Sequence, residues 1–207
     1  MSAKRADNAP ALRGLVLAGG QSRRMRTDKA WLDYHGKPQI EWVADLIAPY
    51  CISVHASVRA AQADEPVRSG LPTIVDARED AGPIAGILAA QGFDPAAAWL
   101  VVACDLPFLD PRTLEYLIEH RSPASIATAY RSSRDGLPEP LCAIWEPASH
   151  GYVEAAVAQE KYCPRALLAG AGAVLLDLPD PAALDNVNTR DEWASARARL
   201  GVEEERA

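Results

Sequence analysis

Short apolar runs that stop at glycine or aspartate alternate along this chain with stretches whose apolar residues recur every three or four positions. Residues 15–18 form the first run, ended at once by Gly19 and Gly20. Such a run reads as a buried strand entering a loop. After Pro38, a residue suited to a first helical turn, Ile40, Val43, Ala44 and Ile47 fall on one helical face. Residues 51–56 alternate as a second strand, and residues 72–75 form a short third strand ending at Asp76. Gly82-Pro83 opens a helix with Ile84, Ile87, Leu88 and Gln91 at helical spacing. Residues 99–104 are the most apolar run and read as a central strand buried on both faces, stopping at Asp105. Pro111 starts a helix with Leu114, Leu117 and Ile118 inward. Strands follow at 125–130 and 141–145, a helix at 152–159, a late strand at 173–178 and a last helix at 191–200, capped near Thr189.

Strands alternating with helices from end to end are the signature of βαβ units. The expected fold class is α/β: a single Rossmann-like three-layer domain around a mostly parallel sheet. The strands of residues 125–145 are read as an antiparallel edge or cover. The domain is expected over residues 13–201, with flexible tails at 1–12 and 202–207 that are charged or small and carry few anchors.

Composition narrows this picture without redirecting it. A chain of 207 residues with 49% hydrophobic and 24% charged residues has the balance of a globular domain, which excludes disordered, collagen-like and disulfide-scaffold chains. The net charge of −7 argues against general nucleic-acid binding. Charge is uneven, however. Residues 1–29 hold seven of the 21 basic residues and two acids, so this segment is locally +5 on a body of −12. Such a contrast focuses anions. No apolar run approaches the ~20 residues of a membrane span. The N-terminus lacks a signal-peptide core, so a cytoplasmic location is expected. Cys51, Cys104, Cys142 and Cys163 are far apart and read as reduced thiols rather than a zinc site.

In an open α/β sheet ligands sit beyond the carboxyl ends of the strands. After the first strand comes Gly19-Gly20-Gln21-Ser22-Arg23-Arg24-Met25-Arg26-Thr27-Asp28-Lys29. Glycines let backbone N–H groups approach an anion, and three arginines with a lysine add charge. This suits a polyphosphate, although neither the Walker A pattern nor G-x-G-x-x-G is present. After the third and fourth strands come Asp76 and Asp105. A hard carboxylate in that crevice suits Mg²⁺, which takes one or two carboxylates plus substrate phosphates. For Asp76 a turn role weighs equally. Asp110 caps the Pro111 helix better than Asp105 would. Thr189 and Glu192 form a capping box, which leaves Asn186 and Asn188 for a heterocycle or a phosphate ester.

The run Leu17-Ala18-Gly19-Gly20-x-Ser22-x-Arg24-Met25-x-x-Asp28-Lys29 resembles the LAGGxSxRMGxDK loop of a broad group of nucleotidyltransferases. Asp76, Gly82-Pro83-Ile84-x-Gly86-Ile87, Cys104-Asp105-x-Pro107-Phe108, Glu139-Pro140-Leu141 and Asn186-Val187-Asn188-Thr189 follow in the same order. Together they resemble the molybdenum cofactor guanylyltransferase (MobA) family over residues 14–193. The resemblance implies a nucleotide-diphospho-sugar transferase-like fold and transfer of GMP from GTP to Mo-molybdopterin, with Mg²⁺ as cofactor and pyrophosphate released. It implies that Leu17, Ala18, Gly19, Gly20, Lys29, Asp76 and Asp105 bind nucleotide and that Asp105 holds metal. Lys29, Asp105 and Arg24 are implied as catalytic, and Asn186, Asn188 and Glu139 as facing the pterin. It implies no nucleic-acid or membrane partner, but transient contact with molybdopterin-handling proteins and molybdoenzymes. Arg26 stands where the family has glycine, Ala103 where it often has proline, and His55 aligns with an asparagine that touches the nucleotide in some members. The residues themselves leave guanine and cytosine open. They also leave open another phosphate-ester acceptor and a nucleotide-binding protein without turnover.

Overall fold

The computed structural model describes residues 9–19, 28–63 and 70–202. At its centre β1 (Leu12–Leu17) and β4 (Ala98–Ala103) run parallel, Leu12 beside Ala98 and Leu17 beside Ala103. Every residue of β4 is buried, as an apolar run with no polar face requires. Outward from β1 lie β2 (Val54–Val58) and β3 (Thr73–Val75), both parallel to it. On the other side come β6 (Pro138–Trp145), β5 (Ala127–Arg131) and β7 (Val174–Asp177), giving a seven-stranded order β3-β2-β1-β4-β6-β5-β7. Strand β6 is antiparallel to both β4 and β5, whereas β7 is parallel to β5. The reversed strand therefore lies inside the sheet, where the sequence reading placed an edge or cover. Its last four residues are all buried and pack on both faces of the sheet.

Helices cover both faces. α1 (Gln39–Ile47) and α3 (Pro111–Glu119) contribute Ile40, Val43, Ile47, Leu114 and Leu117 to one core layer, with Val16, Leu100 and Val102 of the sheet. α2 (Pro83–Phe93), α4 (His150–Ala158) and α5 (Pro164–Gly170) cover the other, against Leu15, Trp99, Val101 and Trp145. Successive strand residues point to opposite faces, so each buried strand feeds both layers. A smaller cluster joins Leu32, Tyr34 and Val187 to Ala196 of α6 (Arg190–Arg199). Asp110 caps α3 by accepting from the Thr113 amide at 2.8 Å.

Three details depart from the sequence reading. Helix α5 was not anticipated, because its seven residues carry only two buried positions. Strand β2 runs to Val58 rather than ending at residue 56. Residues 10–12, placed in a tail, are engaged: Ala11 O accepts from the Ala98 amide, Pro10 O accepts from Arg121, and Leu12 lies in the sheet. Cys51 and Cys142 are free thiols pushed up to about 12 by burial, so they behave as small apolar side chains. No helix among the described residues is long and apolar enough to cross a membrane.

Candidate functional site

The carboxyl ends of β1, β2, β3 and β4 open into a cavity of about 490 Å³. That volume lies within the usual range for small-molecule sites. Leu17, Ala18 and Gly19 form one wall as β1 ends. Ala103, Cys104 and Asp105 form the next as β4 ends, and Ser57, Asp76 and Pro83 close a third side. The strand order reverses between β1 and β4, and ligands collect at such points in α/β sheets.

At the heart of the cleft Lys29 Nζ donates to Asp105 Oδ2 at 3.0 Å and to Asn188 Oδ1 at 2.6 Å. Local structure fixes all three. Asp28 opens a short 3-10 turn, Lys29–Trp31, its Oδ1 accepting from the Ala30 amide at 3.0 Å. Its Oδ2 accepts from Gln62 Nε2, and Gln62 Oε1 in turn accepts from the amide and Nε of Arg59. The lysine's turn is thus tied to the segment that leaves β2. Asp105 lies two residues beyond the end of β4, and its carbonyl accepts from the Val187 amide at 3.0 Å. Asn188 is held by the capping box of α6: Glu192 accepts from the Asn188 and Thr189 amides, and Thr189 Oγ1 accepts from the Glu192 amide. The cap that accounts for Thr189 also places Asn188. Tyr34 lies buried beside this group, its phenol raised above the ordinary range by burial and by the charges of Asp105 and Glu192.

A second carboxylate stands across the cleft. Asp76 Oδ1 accepts from Ser57 Oγ at 2.5 Å. Burial raises the Asp76 carboxyl above its usual range, against the opposing pull of the Ser57 hydrogen bond and the Arg59 charge. Arg59, Arg78, Asp28 and Asp80 line the same cavity. Gly82, at φ +70°, makes the turn into α2 with a backbone that side chains disfavour.

The cavity therefore gathers Leu17, Ala18, Gly19, Lys29, Asp76, Asp105 and Asn188 from the residues singled out in the sequence. Gly20 and Arg24, with Arg23 and Arg26, lie outside the described residues. Asn186 is exposed and does not line the cavity. Glu139 sits on β6 outside the lining, its carboxylate accepting from Arg165 Nη2 at 2.8 Å. His55 does not line the cavity either. It is buried beneath α2 against Phe93 and Trp99, with ring centroids at 5.1 and 5.7 Å. Ser57, two residues on and on the same face of β2, reaches the site instead. Sequence reading missed Ser57, Arg59, Gln62, Arg78 and Asp80. For Ser57 the signal was available in the period of two, once the strand is carried to Val58.

A mostly parallel sheet with a lysine–carboxylate pair and a glycine-ended strand at its switch point is compatible with an α/β nucleotidyltransferase, and the relatives place the chain in that class. The chain belongs to the MobA-like NTP transferase domain family, whose model matches residues 14–174. It is 37% identical over 197 residues to a molybdenum cofactor guanylyltransferase of Rhodobacter capsulatus, covering 90% of this chain and 95% of that one. It is 36% identical over 182 residues to a molybdenum cofactor biosynthesis bifunctional protein of Synechocystis sp.; the match covers 88% of this chain but about half, 52%, of that protein. Among solved structures, molybdopterin-guanine dinucleotide biosynthesis protein A of Archaeoglobus fulgidus superposes with a TM-score of 0.77 at 26% identity, covering 92% of this chain and all of that one. A 4-diphosphocytidyl-2C-methyl-D-erythritol synthase of Anaerococcus prevotii superposes with a TM-score of 0.69 at 11% identity, over 93% of this chain and 96% of that one. That likeness shows a shared fold alone.

Proposed function

We propose that the protein transfers GMP from GTP to the terminal phosphate of Mo-molybdopterin and releases pyrophosphate. The observation that carries the reading is the Lys29–Asp105–Asn188 group on the cavity wall, assembled from three segments distant in sequence. The names of the relatives supply the acceptor and the base. In the reaction a phosphate oxygen of the pterin attacks the α-phosphorus in line. A P–O bond forms there while the bond to the β-phosphate oxygen breaks. A phosphate monoester is already largely ionised at neutral pH, so no general base is needed. Positioning and charge neutralisation carry the chemistry.

Lys29 is fixed at the end of β1's loop, where its ammonium can neutralise the leaving pyrophosphate. Arg23 and Arg24 are assigned the same task, and Leu17 to Gly20 and Asp76 hold the nucleoside part. Asn188 orients Lys29 through its amide oxygen, with Asn186 and Glu139 assigned to the pterin side. Asp105 is the residue that would hold Mg²⁺, with nucleotide phosphates as the other ligands. The donor set fits: the cavity wall carries the carboxylates of Asp28, Asp76, Asp80 and Asp105. Among the described residues no cluster of three or more His, Cys, Asp or Glu stands ready to hold a metal; Mg²⁺ commonly takes one or two carboxylates plus substrate phosphates. When bound, Mg²⁺ supplies charge stabilisation to the phosphates. We assign the protein to the cytoplasm, with handover contacts to molybdopterin-handling proteins and molybdoenzymes.

The test is pyrophosphate release by purified protein with Mg²⁺ and Mo-molybdopterin, offering GTP, CTP, ATP and UTP separately. Release with GTP alone is expected. Release with CTP alone moves the protein to a cytidylyl reaction on the same pterin. Silence with all four overturns the proposed reaction.

A further inference from the structure

We propose that Ser57 is a positioning residue, aiming the Asp76 carboxylate at a hydrogen-bond donor of the bound nucleotide. This rests on the nucleotide reading above. The two carboxylate oxygens of Asp76 do different things. Oδ1 is tied to the sheet by Ser57 Oγ, at 2.5 Å from a residue only 2% exposed on β2. Oδ2 lies against the end of β1, 3.0 Å from where a side chain on Gly19 would begin, on the wall of the cavity. The terminal torsion of an aspartate is broad and soft, so an untied carboxylate would swing between orientations. The Ser57 hydroxyl selects one.

Gly86 of α2 closes the argument. A Cβ there would lie 2.2 Å from Ser57 Oγ and 3.1 Å from Asp76 Oδ1. No residue but glycine leaves the hydroxyl in place. Three segments, β2, the end of β3 and α2, are therefore fitted around one hydrogen bond. An ionised carboxylate only accepts hydrogen bonds. Its partner on the nucleotide is consequently an N–H of the base or an O–H of the sugar. The other charged groups around the same cavity are Arg59, Arg78, Asp28, Asp80, Lys29 and Asp105. Of these, the Arg59 charge draws the Asp76 carboxyl down, against the larger effect of burial.

The experiment measures equilibrium binding of GTP, inosine triphosphate and 2′-deoxy-GTP, and steady-state KM and kcat for GTP, in wild type and Ser57→Ala. Loss of a hydrogen bond that orients a charged group is expected to weaken GTP binding and raise KM about tenfold, with kcat within about twofold. Ser57→Ala should also lose discrimination against one analogue. Inosine triphosphate, which lacks the 2-amino group, locates the donor on that amine, and 2′-deoxy-GTP locates it on the 2′-hydroxyl. Gly86→Ala should reproduce the effect, although alanine favours a helix. In an Asp76→Ala background Ser57→Ala should change nothing further, since it acts through the carboxylate. Wild type that binds GTP beside a Ser57→Ala protein that binds it equally overturns this inference alone. So do additive losses for Ser57→Ala and Asp76→Ala. Wild type that binds no nucleotide overturns the functional reading and this inference together.

Discussion

Two cation–carboxylate pairs sit at opposite ends of the parallel strands and differ in geometry and in exposure. At the amino end Arg121 donates to both oxygens of Glu146, at 2.6 and 2.9 Å, and also to Pro10 O. Glu146 is fully buried and the Arg121 side chain is 12% exposed. At the carboxyl end Lys29 meets Asp105 through one oxygen, shares its ammonium with Asn188, and opens on the cavity, with side chains 18% and 21% exposed. A planar guanidinium matches a carboxylate on two bonds, whereas an ammonium is a point charge. The first pair is closed and has nothing to offer a ligand. The second borders the cleft, where the proposed function places a polyphosphate. The same interaction type thus belongs to the scaffold at one end and, on the proposed function, to the chemistry at the other.

The largest expected effect comes from opening the closed pair. Arg121→Ala strands a buried carboxylate, which typically costs 3–5 kcal/mol. The melting temperature should fall by roughly 10 °C, with kcat of the folded fraction near wild type. Asp105→Ala should do the reverse: turnover falls at least ~100-fold, the size of a lost charge-stabilising group, with the melting temperature nearly unchanged. Near-normal turnover would take Asp105 out of the reaction, and coincident losses of stability would erase the contrast between the pairs. The smallest effect sharpens the comparison at Asp76, a half-buried carboxylate with no cation in hydrogen-bond contact among the described residues. Because burial raises its carboxyl in the folded state, the native protein holds that proton more tightly than the unfolded chain does. Its ionisation therefore erodes stability as pH rises from about 4 through the raised value. Asp76→Asn should melt above wild type at pH 7 and level with it near pH 3, measured by thermal denaturation, while nucleotide affinity falls.

Much of this was legible before any coordinates. The apolar run around Val101 announced a doubly buried strand, and the aspartates that end β3 and β4 pointed to the crevice because strand ends are where α/β ligands lie. What escaped was set by tertiary geometry. Gln62 reads as an ordinary polar residue and becomes meaningful only when the chain brings Asp28 and Arg59 to its two ends. Ser57 was lost to a strand boundary two residues short, and His55, aligned with a nucleotide-touching asparagine but left without a role, lies buried against Phe93 and outside the cavity lining. The interior position of β6 was hidden because its apolar pattern suits either an edge or a centre until its neighbours are known.

The pairing of β1 with β4 also bears on the order in which the chain folds. β5 and β6 meet through a local hairpin, Ala127 beside Trp145, and such contacts close quickly. Leu12 must instead find Ala98 across nearly half the chain, and long loops slow the search. The seam between these two strands is expected to zip late, and the cleft lies at its end. A newly made chain would acquire its binding surface among its last native contacts. A nucleotide that recognises only the finished seam would then act as a mass-action brake on its reopening.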